Sequence, residues 1–239
     1  MEHDIQLPVQ GVEQALAAAG WDVQNEMSAL AQTANGFDLP MLRIEHRENG
    51  EHRLYIDHGE SYLPQAETSE DVPGNMLTGI VFAVESIRAL WMHGETTPLC
   101  SALDNKPTVD EPLSSSCHSC KESVIGGRCK PKMRLWMLVL VEGEWRPIVF
   151  NLSPTSLKHW NGHIQRLSRS RLPLVAVRTV VSLQDVKKNN YRWAEAIFSM
   201  DGLADAFELR KAKSALDEFN EFRKVISGRD FVEPGDKLD

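Results

Sequence analysis

The chain has 239 residues, of which 42% are hydrophobic and 25% are charged. This composition is typical of a globular protein and excludes an intrinsically disordered or collagen-like chain. The net charge of −8, taken alone, argues against nucleic-acid binding. No apolar run reaches the length of about 18 residues that a membrane-spanning helix needs, and the acidic N-terminus has no apolar signal segment. We therefore expect a cytoplasmic protein that does not contact a membrane.

The charge is distributed in blocks along the chain. Residues 1–75 contain 14 acidic residues, three Arg and no Lys, whereas residues 117–194 contain 14 basic and only four acidic residues. Local charge of this kind determines the attraction to a polyanion better than the net charge does. The sequence therefore contains one strongly basic segment between acidic ones.

The first 75 residues are predicted to form an acidic extension with a helix and a hairpin. A helix is expected over about 9–19. Two alternating runs within 41–59 flank Asn49-Gly50, and Asn-Gly is the strongest short hairpin signal. The polar, turn-rich segment 64–75 predicts a linker.

Residues 76–200 are predicted to form five strands and one helix. The strands are expected at 76–92, 133–141, 145–151, 172–183 and 191–200, with a polar loop at 184–190. Ser153-Pro154 is a favourable helix N-terminus, and the residues that follow it have an apolar face at helical spacing. The members of this face are Leu157, Trp160, Ile164 and Leu167. A second amphipathic helix is predicted over about 203–226.

This element order is that of the OB-fold, a five-stranded barrel with a helix between its third and fourth strands. We therefore predict a mainly β, α+β protein with a five-stranded OB-fold barrel over 76–200. The acidic α/β-hairpin extension would occupy 1–75, and a C-terminal helix with a short tail would occupy 201–239. OB-folds bind oligonucleotides on strands 2 and 3 and through the loops between strands 1 and 2 and strands 4 and 5.

All four cysteines fall within 30 residues, at Cys100, Cys117, Cys120 and Cys129. In a reducing cytoplasm, clustered cysteines indicate metal rather than disulfides. Two Cys separated by two residues form a knuckle that turns both thiolates toward one ion, and the outer two cysteines would complete a tetrahedral site. Because four thiolates leave no open coordination position, we predict one structural Zn²⁺ that shapes the loop between barrel strands 1 and 2.

Other interpretations of these cysteines are four unrelated buried thiols or a disulfide in an oxidising compartment. His118 lies inside the knuckle and is an alternative ligand. His93-x-Glu95 followed by the knuckle is similar to the zinc deaminase pattern. However, Ser116 stands where that pattern has Pro, and two of the cysteines would have no role in it. We therefore predict that the protein is not an enzyme.

Cations interleaved with aromatic side chains are the surface that single-stranded nucleic acid requires, because cations neutralise phosphates and rings stack on bases. Strand alternation places Arg134 and Trp136 on one face, and Tyr191 and Trp193 on one face with Arg192 opposite. Burial in the core is the alternative role for the aromatic residues. The predicted nucleic-acid contacts are Lys130, Lys132, Arg134, Trp136, Arg146, Arg178, Lys187, Lys188, Tyr191, Arg192 and Trp193.

Four short segments suggest a family: 98–101 (PLCS), 117–120 (CHSC), 127–130 (GRCK) and 152–158 (LSPTSLK). With them, the stretch from about Pro98 to Ser199 resembles zinc-containing single-stranded DNA-binding proteins of phages and mobile elements. The resemblance implies a zinc-stabilised OB-fold that binds single-stranded DNA in replication, recombination or mobile-element maintenance, with replication or recombination proteins as partners. The better-known phage examples place a His among the metal ligands and have a strongly acidic tail, and this chain departs from both.

The predicted surface is also compatible with RNA. A second interpretation is a non-enzymatic, OB-like adaptor or inhibitor that binds a protein partner through the acidic N-terminal region. Binding to single-stranded oligonucleotides separates the two interpretations.

Overall fold

A computed structural model of the chain describes residues 18–20, 22, 39–47, 49–59, 68–92, 98–124, 126–220 and 222–224. The chain forms two compact units, residues 1–37 and 38–239, and in the first unit only residues 18–20 and 22 are described. Most of the helix predicted over 9–19 therefore lies outside the described residues. None of the described helices is long and apolar enough to cross a membrane.

The second unit is mainly β with two α-helices, which confirms the predicted class. Its strands are β1 Met41–Glu45, β2 Arg53–Asp57, β3 Ser69–Asp71, β4 Met76–Leu90, β5 Cys100–Leu103, β6 Lys106–Pro107, β7 Lys130–Val141, β8 Glu144–Leu152, β9 Val177–Lys188 and β10 Tyr191–Leu203. Its helices are α1 Leu157–Arg169 and α2 Ala206–Phe219.

The strands of the described residues form one sheet in the order β10-β9-β4-β7-β8-β1-β2-β3, with β5 and β6 attached at β4. The five longest strands are the five that the sequence predicts, and their order in the sheet is fifth, fourth, first, second, third. This curled sheet is compatible with an OB-like fold. The described residues contain ten strands rather than five, because three come from the N-terminal region and two from the cysteine-containing loop.

Strand β4 joins the two halves of the sheet and explains its curvature. Its first four residues pair with β9, and from Gly79 onward it pairs with β7. A Cβ atom on Gly79 would lie 2.7 Å from Val139 Cγ1 and 2.8 Å from the Leu138 carbonyl oxygen, so the close approach of the strands requires glycine. A register shift between Val81 and Ala83 bends the strand further.

The inner face of the sheet forms the hydrophobic core, and α1 covers it. Trp160 of α1 is 2% exposed and packs edge-on against Phe198 of β10 at 5.1 Å between ring centroids. Leu157 and Ile164 of the predicted apolar face also pack against the core. The helix lies along the β10 edge, where Arg166 Nη2 donates to the Phe198 carbonyl oxygen at 3.0 Å.

The hairpin predicted around Asn49-Gly50 is present as β1 and β2, and Gly50 has φ +82°. It is continuous with the same sheet, because β1 pairs in parallel with β8 and the side chains of Leu42 and Leu54 enter the core. The predicted linker 64–75 contains β3, which pairs with β2. The hairpin that the sequence assigns to a separate extension thus belongs to the same sheet and lies beside β8.

Several predicted boundaries move in the structure. The segment 184–190, expected to be a loop, continues β9 to Lys188 and leaves only Asn189 and Asn190 as the turn; Asn189 has φ +56°. The fourth predicted strand begins at Val177 rather than 172, because Pro173 precedes a 3-10 turn. The C-terminal helix predicted over about 203–226 is present as α2 over Ala206–Phe219, and Leu203 belongs to β10.

Candidate metal centre and nucleic-acid interface

The four cysteines line one small cavity between the end of β4 and the loop that follows it. Cys100 begins β5 opposite Leu90, Cys117 and Cys120 lie in consecutive turns, and Cys129 immediately precedes β7. All four are free thiols. The fold therefore brings all four cysteines of this loop to one cavity.

Hydrogen bonds order the knuckle. The Cys120 amide donates to the Cys117 carbonyl oxygen at 3.4 Å, and the Cys129 amide donates to the Glu122 carbonyl oxygen at 3.0 Å. Ser123 Oγ donates to the carbonyl oxygens of Cys120, at 3.0 Å, and of Cys117. Backbone contacts therefore hold the turn in which both knuckle thiols lie.

Arg88 is the cation of this cavity. Burial raises the pKa of the Cys117 and Cys129 thiols, and the positive charge of Arg88 opposes that rise. Arg88 Nη1 donates to the Ser123 carbonyl oxygen at 3.4 Å, while its Nε is buried without a hydrogen-bond partner. Since four thiolates around Zn²⁺ carry a net charge of about −2, a neighbouring guanidinium would compensate part of it.

The donor chemistry of this cavity fits zinc, because four soft sulfur atoms belong to the residues that line it and Zn²⁺ accepts four thiolate ligands. As they stand, however, the described residues include no group of three or more His, Cys, Asp or Glu arranged to hold a metal ion. The zinc site stays a prediction, with the four cysteines as its ligands. His118 is exposed and is not among the residues that line the cavity.

The outer face of β7, where the sequence predicts a nucleic-acid surface, is covered by α2. Arg134 and Trp136 share that face and are 3% and 4% exposed. The Trp136 ring stacks on Phe219 of α2, with 6.3 Å between ring centroids. Trp136 is therefore packed inside the protein in this structure and does not present its ring to a base.

Glu85 of β4, which sequence analysis did not single out, links the side chains of this covered face. Its carboxylate accepts from Arg134 Nε at 2.9 Å, Trp136 Nε1 at 2.7 Å and Arg223 Nε at 2.9 Å. A buried charge is tolerated when it is paired and hydrogen-bonded. The signal in the sequence is one carboxylate within the apolar strand 76–90.

Most of the other predicted phosphate-binding cations also have partners within the protein. The ion pairs are Arg146 with Glu70 and Glu144, Arg178 with Glu208, and Arg192 with Asp185, at shortest N–O distances of 2.7–3.4 Å. Lys132 is 6% exposed. Lys130 begins β7, and its side chain lies outside what the structure describes. These residues do not form one free basic surface.

The tip of the β9–β10 hairpin brings three of the predicted residues together at the surface. Lys187 and Lys188 end β9, and both are exposed. Tyr191 begins β10 directly opposite Lys188 and is 76% exposed. We call Lys187, Lys188 and Tyr191 the hairpin tip.

Trp193 belongs to a network around Glu195. Trp193 is half-buried, and its Nε1 donates to Glu195 at 3.1 Å; Lys158 Nζ and His159 Nε2 lie 2.7 and 2.8 Å from the same carboxylate. Burial raises the pKa of Glu195, but the hydrogen bonds from Lys158, His159 and Trp193 outweigh it and leave the pKa below its usual value. The network connects α1 to β10.

No family model matches the chain, and neither a curated protein nor a solved structure matches it.

Proposed function

We propose that the chain is a non-enzymatic single-stranded DNA-binding protein, built on an OB-like fold with one structural zinc ion. The observation that supports the proposal best is the exposure of Lys187, Lys188 and Tyr191 together at the hairpin tip. Its exposed lysines and tyrosine flank the turn between β9 and β10, which would be the fourth and fifth barrel strands, and the connection between those strands is one where OB-folds contact oligonucleotides. The same chemistry also accommodates RNA.

In this proposal the hairpin tip binds nucleic acid without reading its sequence. Lys187 and Lys188 neutralise backbone phosphates, and the Tyr191 ring stacks on a base. Arg134 and Trp136, in contrast, stabilise the fold. Replication or recombination proteins remain the proposed partners.

The zinc would be held by Cys100, Cys117, Cys120 and Cys129. When bound, it supplies a cross-link that fixes the long connection between β4 and β7, a segment whose ordering costs conformational entropy. Arg88 compensates part of the negative charge of the thiolates. The cysteine loop then presents one shape beside the sheet.

Metal analysis tests the zinc directly. Freshly purified, reduced protein is expected to contain about one zinc per chain. The Cys117→Ser variant should lose the metal and melt at a lower temperature. The Ser116→Ala variant, changed one position away, should keep both the metal and the wild-type melting temperature. Protein that is folded, reduced and free of metal would refute the zinc assignment.

A low-salt titration tests the proposed function. The protein should bind an oligo-dT strand of about 30 nucleotides more tightly than a duplex of the same length, because stacking requires unpaired bases. Fluorescence anisotropy of labelled strands measures both affinities. Absence of binding to any single strand would reject the proposal.

The adaptor hypothesis is the second candidate, and one observation favours it. Three of the predicted phosphate-binding arginines, Arg146, Arg178 and Arg192, are paired with carboxylates, so the basic segment is less available to a polyanion than its sequence indicates. A folded protein that fails to bind nucleic acid would support this candidate.

A further inference from the structure

The segment that contains α1 has an unusual charge composition. Residues 145–184 contain six Lys or Arg and no Asp or Glu, in a chain whose net charge is −8. Both the first turn and the body of α1 lack acidic residues, and its last turn contains Arg166 and Arg169. Any carboxylate partner for these cations must therefore come from another element.

The end of α1 presents cations without such partners. Arg166, Arg169 and Arg171 are exposed, and Arg166 donates to the Phe198 carbonyl oxygen, which is a neutral acceptor. The described residues provide no carboxylate within ion-pair distance of Arg169 or Arg171. We call these three arginines the α1 basic face.

The contrast with the rest of the surface makes this face distinctive. Several exposed or half-buried arginines elsewhere lie against carboxylates, as Arg53 does with Asp71, Arg128 with Glu122 and Arg192 with Asp185. Such pairs reduce the local positive potential. The α1 basic face keeps its charge, and the sequence-based list of nucleic-acid contacts did not include it.

We propose that the α1 basic face is a second phosphate-contact surface for single-stranded nucleic acid. This inference rests on the proposed function and extends it from the hairpin tip to a second site. Arginine suits that role because its planar guanidinium donates two hydrogen bonds to one phosphate. The contacts involve the backbone and carry no sequence preference.

The two surfaces lie at different places along β9. Arg166 bonds to Phe198, which pairs with Val181 of β9, whereas Lys187 and Lys188 are the last two residues of that strand. The stretch of β9 from Val181 to Lys187 spans about 20 Å. An oligonucleotide of about three nucleotides therefore reaches one surface only, and one of about 30 nucleotides reaches both.

The test compares three double variants on both lengths of oligo-dT. Arg169→Gln/Arg171→Asn removes two charges from the α1 basic face, and Asn suits the positive φ of Arg171, +54°. Arg210→Gln/Lys211→Gln is the matched control, since it removes two exposed charges from α2. Lys187→Ala/Lys188→Ala removes the lysines of the hairpin tip.

On the long strand, the α1 variant should flatten the slope of log K against log salt by roughly 1 to 1.5 and weaken binding at least several-fold, while the α2 control changes neither. On the short strand, the hairpin-tip variant should weaken binding and the α1 variant should not. Arg169→Lys/Arg171→Lys keeps the charge and should retain most of the long-strand affinity.

Three results would overturn the inference. Equal losses in the α1 variant and the α2 control would show an effect of net charge alone, and an unchanged long-strand affinity in the α1 variant would show that no contact exists. A loss in the lysine variant as large as in the neutral variant would show that charge is not what matters. In each case a weakened hairpin-tip variant leaves the proposed function standing, whereas absence of wild-type binding to both strands rejects the proposed function itself.

Discussion

The outer face of β7 and the hairpin tip have the same sequence signal, cations next to aromatic residues within the basic segment. On β7, Arg134 and Trp136 are 3% and 4% exposed because α2 packs over them. At the hairpin tip, Tyr191 is 76% exposed and two exposed lysines stand beside it. Such a pattern is therefore available to nucleic acid only where no other element of the chain covers it.

The two regions differ in whether they contain a buried carboxylate. Glu85 accepts three hydrogen bonds on the β7 face and thereby converts Arg134 and Trp136 into parts of the interior. The nearest equivalent at the hairpin is Asp185, whose pair with Arg192 is 40–45% exposed. The two carboxylates therefore give a matched pair of variants.

The largest expected effect is that of Glu85→Gln. It leaves the buried Arg134 guanidinium without a counter-charge, and breaking a buried pair costs about 3–5 kcal/mol in the free energy of unfolding. Asp185→Asn disrupts a surface pair and should cost only about 0–1 kcal/mol. Urea unfolding of both variants measures the difference, and similar small losses would contradict the structural role of Glu85.

Trp136 on β7 and Tyr191 at the hairpin tip give a second matched pair of substitutions. Trp136→Ala should lower the free energy of unfolding by about 3–5 kcal/mol, because it removes a large buried side chain. Tyr191→Ala should leave the melting temperature unchanged and cost about 1–3 kcal/mol in binding to oligo-dT. If Trp136→Ala weakens binding to oligo-dT while the melting temperature stays at the wild-type value, Trp136 is a stacking residue and its assignment to the interior is wrong.

Gly79 lies where the two regions share strand β4, and Gly79→Ala has a smaller predicted effect. The added methyl group would press on Val139 and on the Leu138 backbone, and overpacking of this kind costs about 1–3 kcal/mol. Gly162→Ala is the control: its Cβ atom has no neighbour closer than 3.6 Å, and alanine in a helix should gain up to about 1 kcal/mol over glycine. Thermal unfolding distinguishes the two, and a Gly79→Ala protein as stable as wild type would show that the strand approach is less constrained than described.

Local patterns predict much of this fold. Runs of apolar and β-prone residues identify the five long strands, and Asn49-Gly50 correctly predicts the hairpin. The spacing of Trp160 and Ile164 predicts the inward face of α1. These features depend on residues close in sequence, so the sequence itself is sufficient to find them.

The remaining features depend on contacts between distant segments. Alternation puts Arg134 and Trp136 on one face of β7 but does not reveal that α2 covers that face. The pairing of β1 with β8 is likewise set by which edge remains open and not by any pattern within β1. At the cysteine loop, the spacing predicts the convergence of the four thiols, whereas the position of the half-buried Arg88 beside them is visible only in the structure.

The salt dependence of binding tests the central claim most directly, namely that the hairpin tip binds phosphates. The slope of log K against log salt should be flatter by roughly 1 to 1.5 in Lys187→Ala/Lys188→Ala than in wild type, since each lost phosphate contact contributes about 0.7. The melting temperature should not change. A slope and an affinity that match those of wild type would contradict the claim.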